Sequence, residues 1–312
     1  MAADKAPSPD DAFEQAMACL RSGAVDSLER GAELLERAAA LGSGQAQAKL
    51  AHFRALGVGG QADWNASLDL LEKAASMGAL QAAEELKILA RRPGSSLPEL
   101  RRSIDIQAFI APRETRIVSS SPRIRTVPGF MTPEECAWLV ETSRPRLAPA
   151  EIYDKQRQGT YAGRERTNDC AYFALLDIDV VLVLLHARIA NTIGLPSQCF
   201  EPTSVLHYAP GQEFLTHVDY LDRSQPGHVE ELTLRGQRVA TFLASLNQDY
   251  EAGETDFPRL SYRYKGGTGD ALVFANVGPD LEPDPRTLHA GRPPSSGEKW
   301  LLSQWIRDRP AI

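Results

Sequence analysis

Residues Leu34-Leu35-Glu36-Arg37-Ala38-Ala39-Ala40-Leu41-Gly42 return as Leu70-Leu71-Glu72-Lys73-Ala74-Ala75-Ser76-Met77-Gly78, a shift of 36 positions. Gln45-Ala46 returns as Gln81-Ala82 and Leu50 as Leu86, so the period is held. A fixed period of this length signals stacked helical units. The alanines let two helices approach closely, and Gly42 and Gly78 stand where a helix end needs a left-handed residue. Only about two units are present, few for a free-standing solenoid. The segment is therefore expected to dock on a neighbouring domain or a partner.

Pro93, Gly94, Ser95, Ser96 and Pro98 end the helical region. Residues 99–125 read as an irregular arm. From Arg123 the pattern changes. Thr132-Pro133-Glu134-Glu135 carries a capping box with proline at the first helical position, and a helix is expected to about Ser143. Asp177 to Ile193 reads as a second helix, closed by Gly194. Short β-rich runs then dominate: Ser204–Tyr208, Glu213–Val218, Val239–Leu246, Ala271–Ala275 and Trp300–Ile306. Turn residues separate them, as in Pro210-Gly211 and Gly266-Gly267, and such punctuation points to a β-sandwich or jelly roll.

Composition is ordinary for a globular protein, at 43% hydrophobic and 24% charged residues. The net charge of −7 is uneven. Residues 1–90 carry −5, residues 91–125 carry +5 on eight arginines, and residues 126–312 carry −7. The acidic C-terminal part disfavours a nucleic-acid substrate. Cys19, Cys136, Cys170 and Cys199 are scattered with no C-x-x-C, so they read as reduced structural cysteines. The first residues lack a basic and apolar leader, and the apolar run Ile178–Leu185 is too short to span a bilayer. A cytoplasmic protein without membrane attachment is the expectation.

His217-Val218-Asp219, His289 and Lys299 are the fragments that carry chemistry. At i and i+2 in a strand, His217 and Asp219 leave on one face. Two histidines and one carboxylate form the triad that leaves positions open on non-haem Fe(II). A lysine ten residues past the second histidine could hold the free carboxylate of an oxo-acid cosubstrate. A lone H-x-D is a weak signal, and the order of His289 and Lys299 behind it is only suggestive.

The surrounding words are more specific. Val205 to Tyr220, Arg238 to Asn247, Gly253-Glu254-Thr255-Asp256-Phe257-Pro258, Gly269 to Phe274, and His289-Ala290-Gly291-Arg292-Pro293-Pro294 with Gly297-Glu298-Lys299-Trp300 resemble the prolyl 4-hydroxylase family of Fe(II)/2-oxoglutarate-dependent dioxygenases. The resemblance covers about residues 120–310, and Arg166-Thr167-Asn168 fits the family's upstream support region. Residues 11–91 resemble the Sel-like class of tetratricopeptide-related repeats. The expected architecture is α+β. A disordered tail (1–10) precedes a small all-α helical-repeat domain (11–92). An Arg-rich linker arm (93–122) then leads to a double-stranded β-helix, or jelly roll, with supporting helices (123–312).

The resemblance implies that His217, Asp219 and His289 bind Fe(II), the catalytic metal. Lys299 would pair with the distal carboxylate of 2-oxoglutarate, and Tyr208 would add a hydroxyl hydrogen bond to it. Dioxygen is the second cosubstrate, and ascorbate would keep the iron reduced. Arg238 and Trp305 match substrate-groove positions; the alternatives are a salt-bridge partner and a core aromatic. Phe214 stands where several members place a tyrosine near the substrate. The polar span Leu221–Gln237 matches a substrate lid, with His228 in it expected to face solvent. Glu251, Glu254 and Asp256 read as a solvated turn.

The implied activity is hydroxylation of a prolyl residue in a protein or peptide substrate, with release of succinate and CO2. One alternative keeps the chemistry but acts on a free amino acid, another side chain or a small metabolite. Another makes the chain a docking scaffold with an idle catalytic domain, against which the intact triad and Lys299 argue. The helical repeat favours a protein substrate, because such repeats commonly present docking surfaces.

Overall fold

The computed structural model describes residues 8–24, 26–92, 94–154, 159–161 and 163–310. Residues 1–7 of the expected tail and Pro93 of the expected arm lie outside them. The chain divides into two compact units: residues 1–111 with 176–188, and residues 112–175 with 189–312.

The first unit is helical. It contains α1 (Pro9–Arg21), α2 (Ser27–Ala40), α3 (Gly44–Leu56), α4 (Trp64–Ser76), α5 (Leu80–Ala90), α6 (Leu97–Ser103) and α7 (Ile106–Ile110). Ser8 caps α1 with a reciprocal bond to Asp11, so Pro9 and Asp10 belong to its first turn. The pairs α2–α3 and α4–α5 are related by the 36-residue shift. Gly42 and Gly78 have φ of 103° and 90°, which is why glycine recurs there. Ala16, Leu35, Ala38 and Ala46 are fully buried in the core of α1 to α3, as small side chains at a close helix approach require. Residues 99–125 are not irregular: they hold α6, α7 and strand structure. Ser96 and Glu99 form a capping box, and Asp105 caps α7, so polar residues that resemble loop are helix starts.

Leu176–Arg188 clusters with this unit and contains most of α9 (Val180–Ile193). The helix starts at Val180 rather than Asp177 because the Asp179 carboxylate accepts the Leu182 N–H at 2.7 Å, which makes Asp179 a cap. Glu85, fully buried, accepts the Val180 N–H at 2.9 Å through one oxygen and meets His52 Nε2 at 2.9 Å through the other. Arg188, also fully buried, donates to the Phe109 carbonyl at 2.6 Å and lies 4.2 Å from that ring's centre.

The second unit holds two antiparallel sheets. The larger runs β1 (Arg116–Ser120), β2 (Arg123–Val127), β13 (Ala271–Ala275), β9 (Arg238–Ser245), β16 (Lys299–Arg307), β7 (Thr203–Tyr208), β6 (Asp169–Phe173) and β3 (Ala148–Pro149). The smaller runs β12 (Tyr262–Tyr264), β11 (Thr255–Phe257), β14 (His289–Gly291) and β8 (Phe214–His217). Two short ladders complete it, β4 (Ile152–Asp154) with β5 (Gly159–Tyr161), and β10 (Tyr250–Ala252) with β15 (Pro294–Gly297). Ile124, Leu206, Leu243, Leu272, Phe274 and Leu301 of the larger sheet share a core with Phe257 of the smaller. This is the double-stranded β-helix, closed around one apolar interior. The helix α8 (Pro133–Ser143) begins at the Thr132–Glu135 capping box.

Residues 221–237 form more than a polar loop: α10 (Pro226–Arg235) lies within them. Pro226 supplies the first-turn proline, but the segment's polarity masks its helical character in the sequence. His228 is half-buried and accepts the Asp222 N–H at 2.9 Å, so it does not simply face solvent. Among the described residues no helix is long and apolar enough to cross a membrane.

Candidate active site

Strand pairing builds the site. In the β14–β8 ladder His289 lies directly across from His217. Asp219 follows β8 by two residues, so its carboxylate returns to the same face. His217, Asp219 and His289 each offer a ligand atom, and these atoms lie within 4.8 Å of one another. Nε2 of His217 is 3.5 Å and Nε2 of His289 is 3.6 Å from the Asp219 carboxylate.

Each ligand candidate is oriented by a second contact. Nδ1 of His217 sits 2.8 Å from the Leu215 carbonyl, and Nδ1 of His289 sits 3.0 Å from the Thr287 carbonyl. A carbonyl accepts only from N–H, so both rings carry the proton on Nδ1 and leave the Nε2 lone pair free. Thr241 donates to Asp219 at 2.6 Å, and Asn276 donates to Thr241 at 3.0 Å. Phe214 stacks on His217 with ring centres 3.5 Å apart, and the Arg166 guanidinium lies over the Phe214 ring at 4.7 Å from its centre. Arg166 in turn donates to Asn168 at 3.2 Å.

Electrostatics favour metal ligation. Burial pushes His289 down to about 4, so it is neutral at pH 7. Burial would raise Asp219, but the adjacent histidines and the Thr241 hydroxyl outweigh it and hold the carboxyl well below the ordinary range. Two imidazoles and one carboxylate are a donor set that suits Fe(II) and leaves other coordination positions open.

Lys299 opens β16 directly across from Tyr208 on β7. It is 2% exposed, and among the described residues its ammonium has no hydrogen-bond partner. It lies 4.8 Å from the centre of the Tyr208 ring. Burial pushes Lys299 down to about 8, with Glu254 opposing, and burial raises Tyr208. A Cβ on Gly291 would meet the Tyr208 hydroxyl at 2.9 Å, so the hydroxyl lies against β14, two residues from His289. A buried ammonium without a partner is costly, and a carboxylate entering this pocket would satisfy both groups.

Arg238 and Trp305 also come together. The guanidinium lies 3.5 Å from the Trp305 ring centre and grips Glu201 through two bonds of 2.6 and 2.9 Å. Burial opposes ionisation of Glu201, but Arg238 and Arg307 lower its pKa. Asp256 is not part of a solvated turn. It is 4% exposed on β11 and accepts two bonds from Arg292, at 2.8 and 2.6 Å.

Sequence reading missed Thr241 and Asn276. Thr241 shares an inward face with Leu243 at strand spacing, a polar residue among apolar ones, and that was the available signal. No local signal joins Asn276 to it, since 35 residues separate them.

Residues 203–307 match the family model of the 2OG-Fe(II) oxygenase superfamily. Prolyl 4-hydroxylase 1 of Arabidopsis thaliana is 32% identical over 207 residues, covering 62% of this chain and 71% of that protein. Prolyl 4-hydroxylase 5 of the same plant is 31% identical over 215 residues, with coverage of 62% and 71%. Among solved structures, the viral collagen prolyl hydroxylase of Paramecium Bursaria Chlorella virus-1, in its 2OG complex, is 27% identical with a TM-score of 0.45. That match covers 59% of this chain and 94% of the viral one. The fold and family model define a 2-oxoglutarate-dependent dioxygenase that uses Fe(II). Within that class, the chain belongs to the prolyl 4-hydroxylase family.

Proposed function

We propose that this protein hydroxylates a prolyl residue of a protein or peptide substrate. His217, Asp219 and His289 would hold Fe(II), and Lys299 with Tyr208 would hold the distal carboxylate of 2-oxoglutarate. The observation that carries the reading is the buried Lys299 ammonium, without a hydrogen-bond partner among the described residues, set across from a tyrosine that reaches the strand bearing His289. Fe(II) with 2-oxoglutarate and dioxygen supplies the oxidant for an unactivated C–H bond, with succinate and CO2 as coproducts and ascorbate as reductant.

The chain's own residues bind and orient. The Leu215 and Thr287 carbonyls fix the histidine rings, Thr241 fixes one Asp219 oxygen, and the Arg166–Phe214 stack holds His217 against rotation. The apolar interior around Phe257 and Phe274 keeps water from one side of His289. Arg238 and Trp305 form a rigid, half-buried plate suited to the face of a peptide. The relatives' names support a prolyl substrate. The helical unit, through its repeated pairs, would dock the protein that carries it. Four free cysteines agree with a reducing, cytoplasmic setting.

Mass spectrometry of host-cell proteins incubated with and without the enzyme tests the substrate. One added oxygen on proline, dependent on 2-oxoglutarate, is the expected result. Oxygen added only to another residue type or to a small molecule would refute the prolyl reading while leaving the dioxygenase class intact.

A further inference from the structure

The second unit carries a cleft of about 550 Å3 that none of His217, Asp219, His289, Tyr208 or Lys299 lines. Its volume lies in the range of small-molecule sites. Arg123 and Arg125 line it from β2, two residues apart and therefore on one face of the strand. Val273 lies directly across from Arg125 in the β13–β2 ladder. Val273, Ala275, Leu195 and Leu281 supply an apolar wall.

The two arginines differ from others in this unit. Arg238, Arg286, Arg292 and Arg307 each pair with a carboxylate. Arg123 and Arg125 are exposed, and among the described residues their side chains make no ion pair or hydrogen bond. Two like charges on one strand face repel each other. They do so here in a chain with 41 acidic against 34 basic residues, where carboxylate partners are plentiful. Two guanidinium groups on one strand face offer a carboxylate charge and N–H donors, Asp308, which also lines the cleft, pairs with Arg309, and the apolar wall suits a hydrocarbon.

We propose that this cleft is a second ligand site, which binds an amphipathic carboxylate. The carboxylate bridges Arg123 and Arg125, and an aliphatic body lies along Val273, Ala275, Leu195 and Leu281. The site is independent of the prolyl-hydroxylase reading, since it uses none of that site's residues.

Isothermal titration calorimetry of the full chain with decanoate tests it, with inorganic phosphate as the head-only probe and decanol as the tail-only probe. The expected result is one decanoate per chain, bound more tightly than either control. The double variant Arg123→Gln/Arg125→Gln should weaken decanoate about tenfold or more, because two charge-assisted contacts are lost. Val273→Glu, which sets a carboxylate across from Arg125, should do the same from inside. Both variants should keep wild-type uncoupled 2-oxoglutarate consumption. Unchanged decanoate affinity in the double variant would overturn the proposal. So would decanol binding as well as decanoate, phosphate binding as well as decanoate, or no decanoate binding at up to about 1 mM, the millimolar limit of weak binding.

Discussion

At the scale of single residues, the site depends on groups that touch neither metal nor cosubstrate. Thr241→Val removes the hydroxyl that holds one Asp219 oxygen at 2.6 Å. Loss of such an orienting contact costs roughly 10–100-fold in metal affinity, so an anaerobic Fe(II) titration should show a drop of that size with the fold intact. Gly291→Ala drives a methyl toward the Tyr208 hydroxyl, which would lie 2.9 Å from it. The apparent KM for 2-oxoglutarate should rise while Fe(II) affinity stays near wild type; the reverse pattern would move Tyr208 out of the cosubstrate pocket. Lys299 gives a pH signature. Its pKa falls from 10.5 to about 8 on burial. Between those values the unfolded chain holds more protons than the folded one, so stability of the ligand-free protein rises with pH across that window. Below about 8 the burial cost is fully present, on the order of 3 kcal/mol. Denaturant unfolding curves across this range should show the rise in the wild type and lose it in Lys299→Met. Saturating 2-oxoglutarate should flatten it as well, because the ammonium then has its partner.

At the scale of elements, a buried polar link ties three helices of the helical unit together. Glu85 joins α5 to His52 on α3 and to the first N–H of α9. Glu85→Ala strips a buried imidazole and a helix end of their acceptor at once. A buried donor left unsatisfied costs about 1–3 kcal/mol, so thermal unfolding followed by circular dichroism should show a lowered transition for the helical unit. Retention of the wild-type transition would mean that water replaces the carboxylate. The strand pair β14–β8 works differently: it contributes register, because a slip of one residue would turn His289 away from His217.

At the scale of the whole molecule, metal and cosubstrate should act as stabilisers of one unit. Anaerobic Fe(II) at about 100 times its Kd adds about 2.7 kcal/mol by mass action, and 2-oxoglutarate adds its own increment. The transition of the β-rich unit should rise and return on chelation, while the helical transition stays put. Removal of residues 1–111 has a wider effect. It takes away the residues with which Leu176–Arg188 clusters, including the acceptors Glu85 and Phe109. The truncated protein should lose thermal stability, and uncoupled turnover and peptide hydroxylation should fall together. Activity on protein substrate should fall further than peptide hydroxylation, because the proposed docking surface goes with the helices; equal losses would limit the helical unit to bracing the chain.

The local patterns determined much of this. Period and glycine placement specified the paired helices, since a left-handed residue must follow each at Gly42 and Gly78. Short β-rich runs bounded by turn residues specified β7, β9, β13 and β16 to within a residue or so, because a central strand buried over most of its length reads as a brief apolar run between breakers. The motif order marked His217, Asp219, His289 and Lys299 as one chemical set. Tertiary structure alone decided the rest. Helix α10 was hidden by its polar surface, and Asp256 resembled a turn residue until Arg292, 36 positions away, covered it. Asn276 reaches Asp219 through Thr241, and Glu85 reaches α9 across 95 positions. These links join residues far apart in the chain, so no local period or motif encodes them; only the closed sheets and packed helices bring the partners within hydrogen-bond reach.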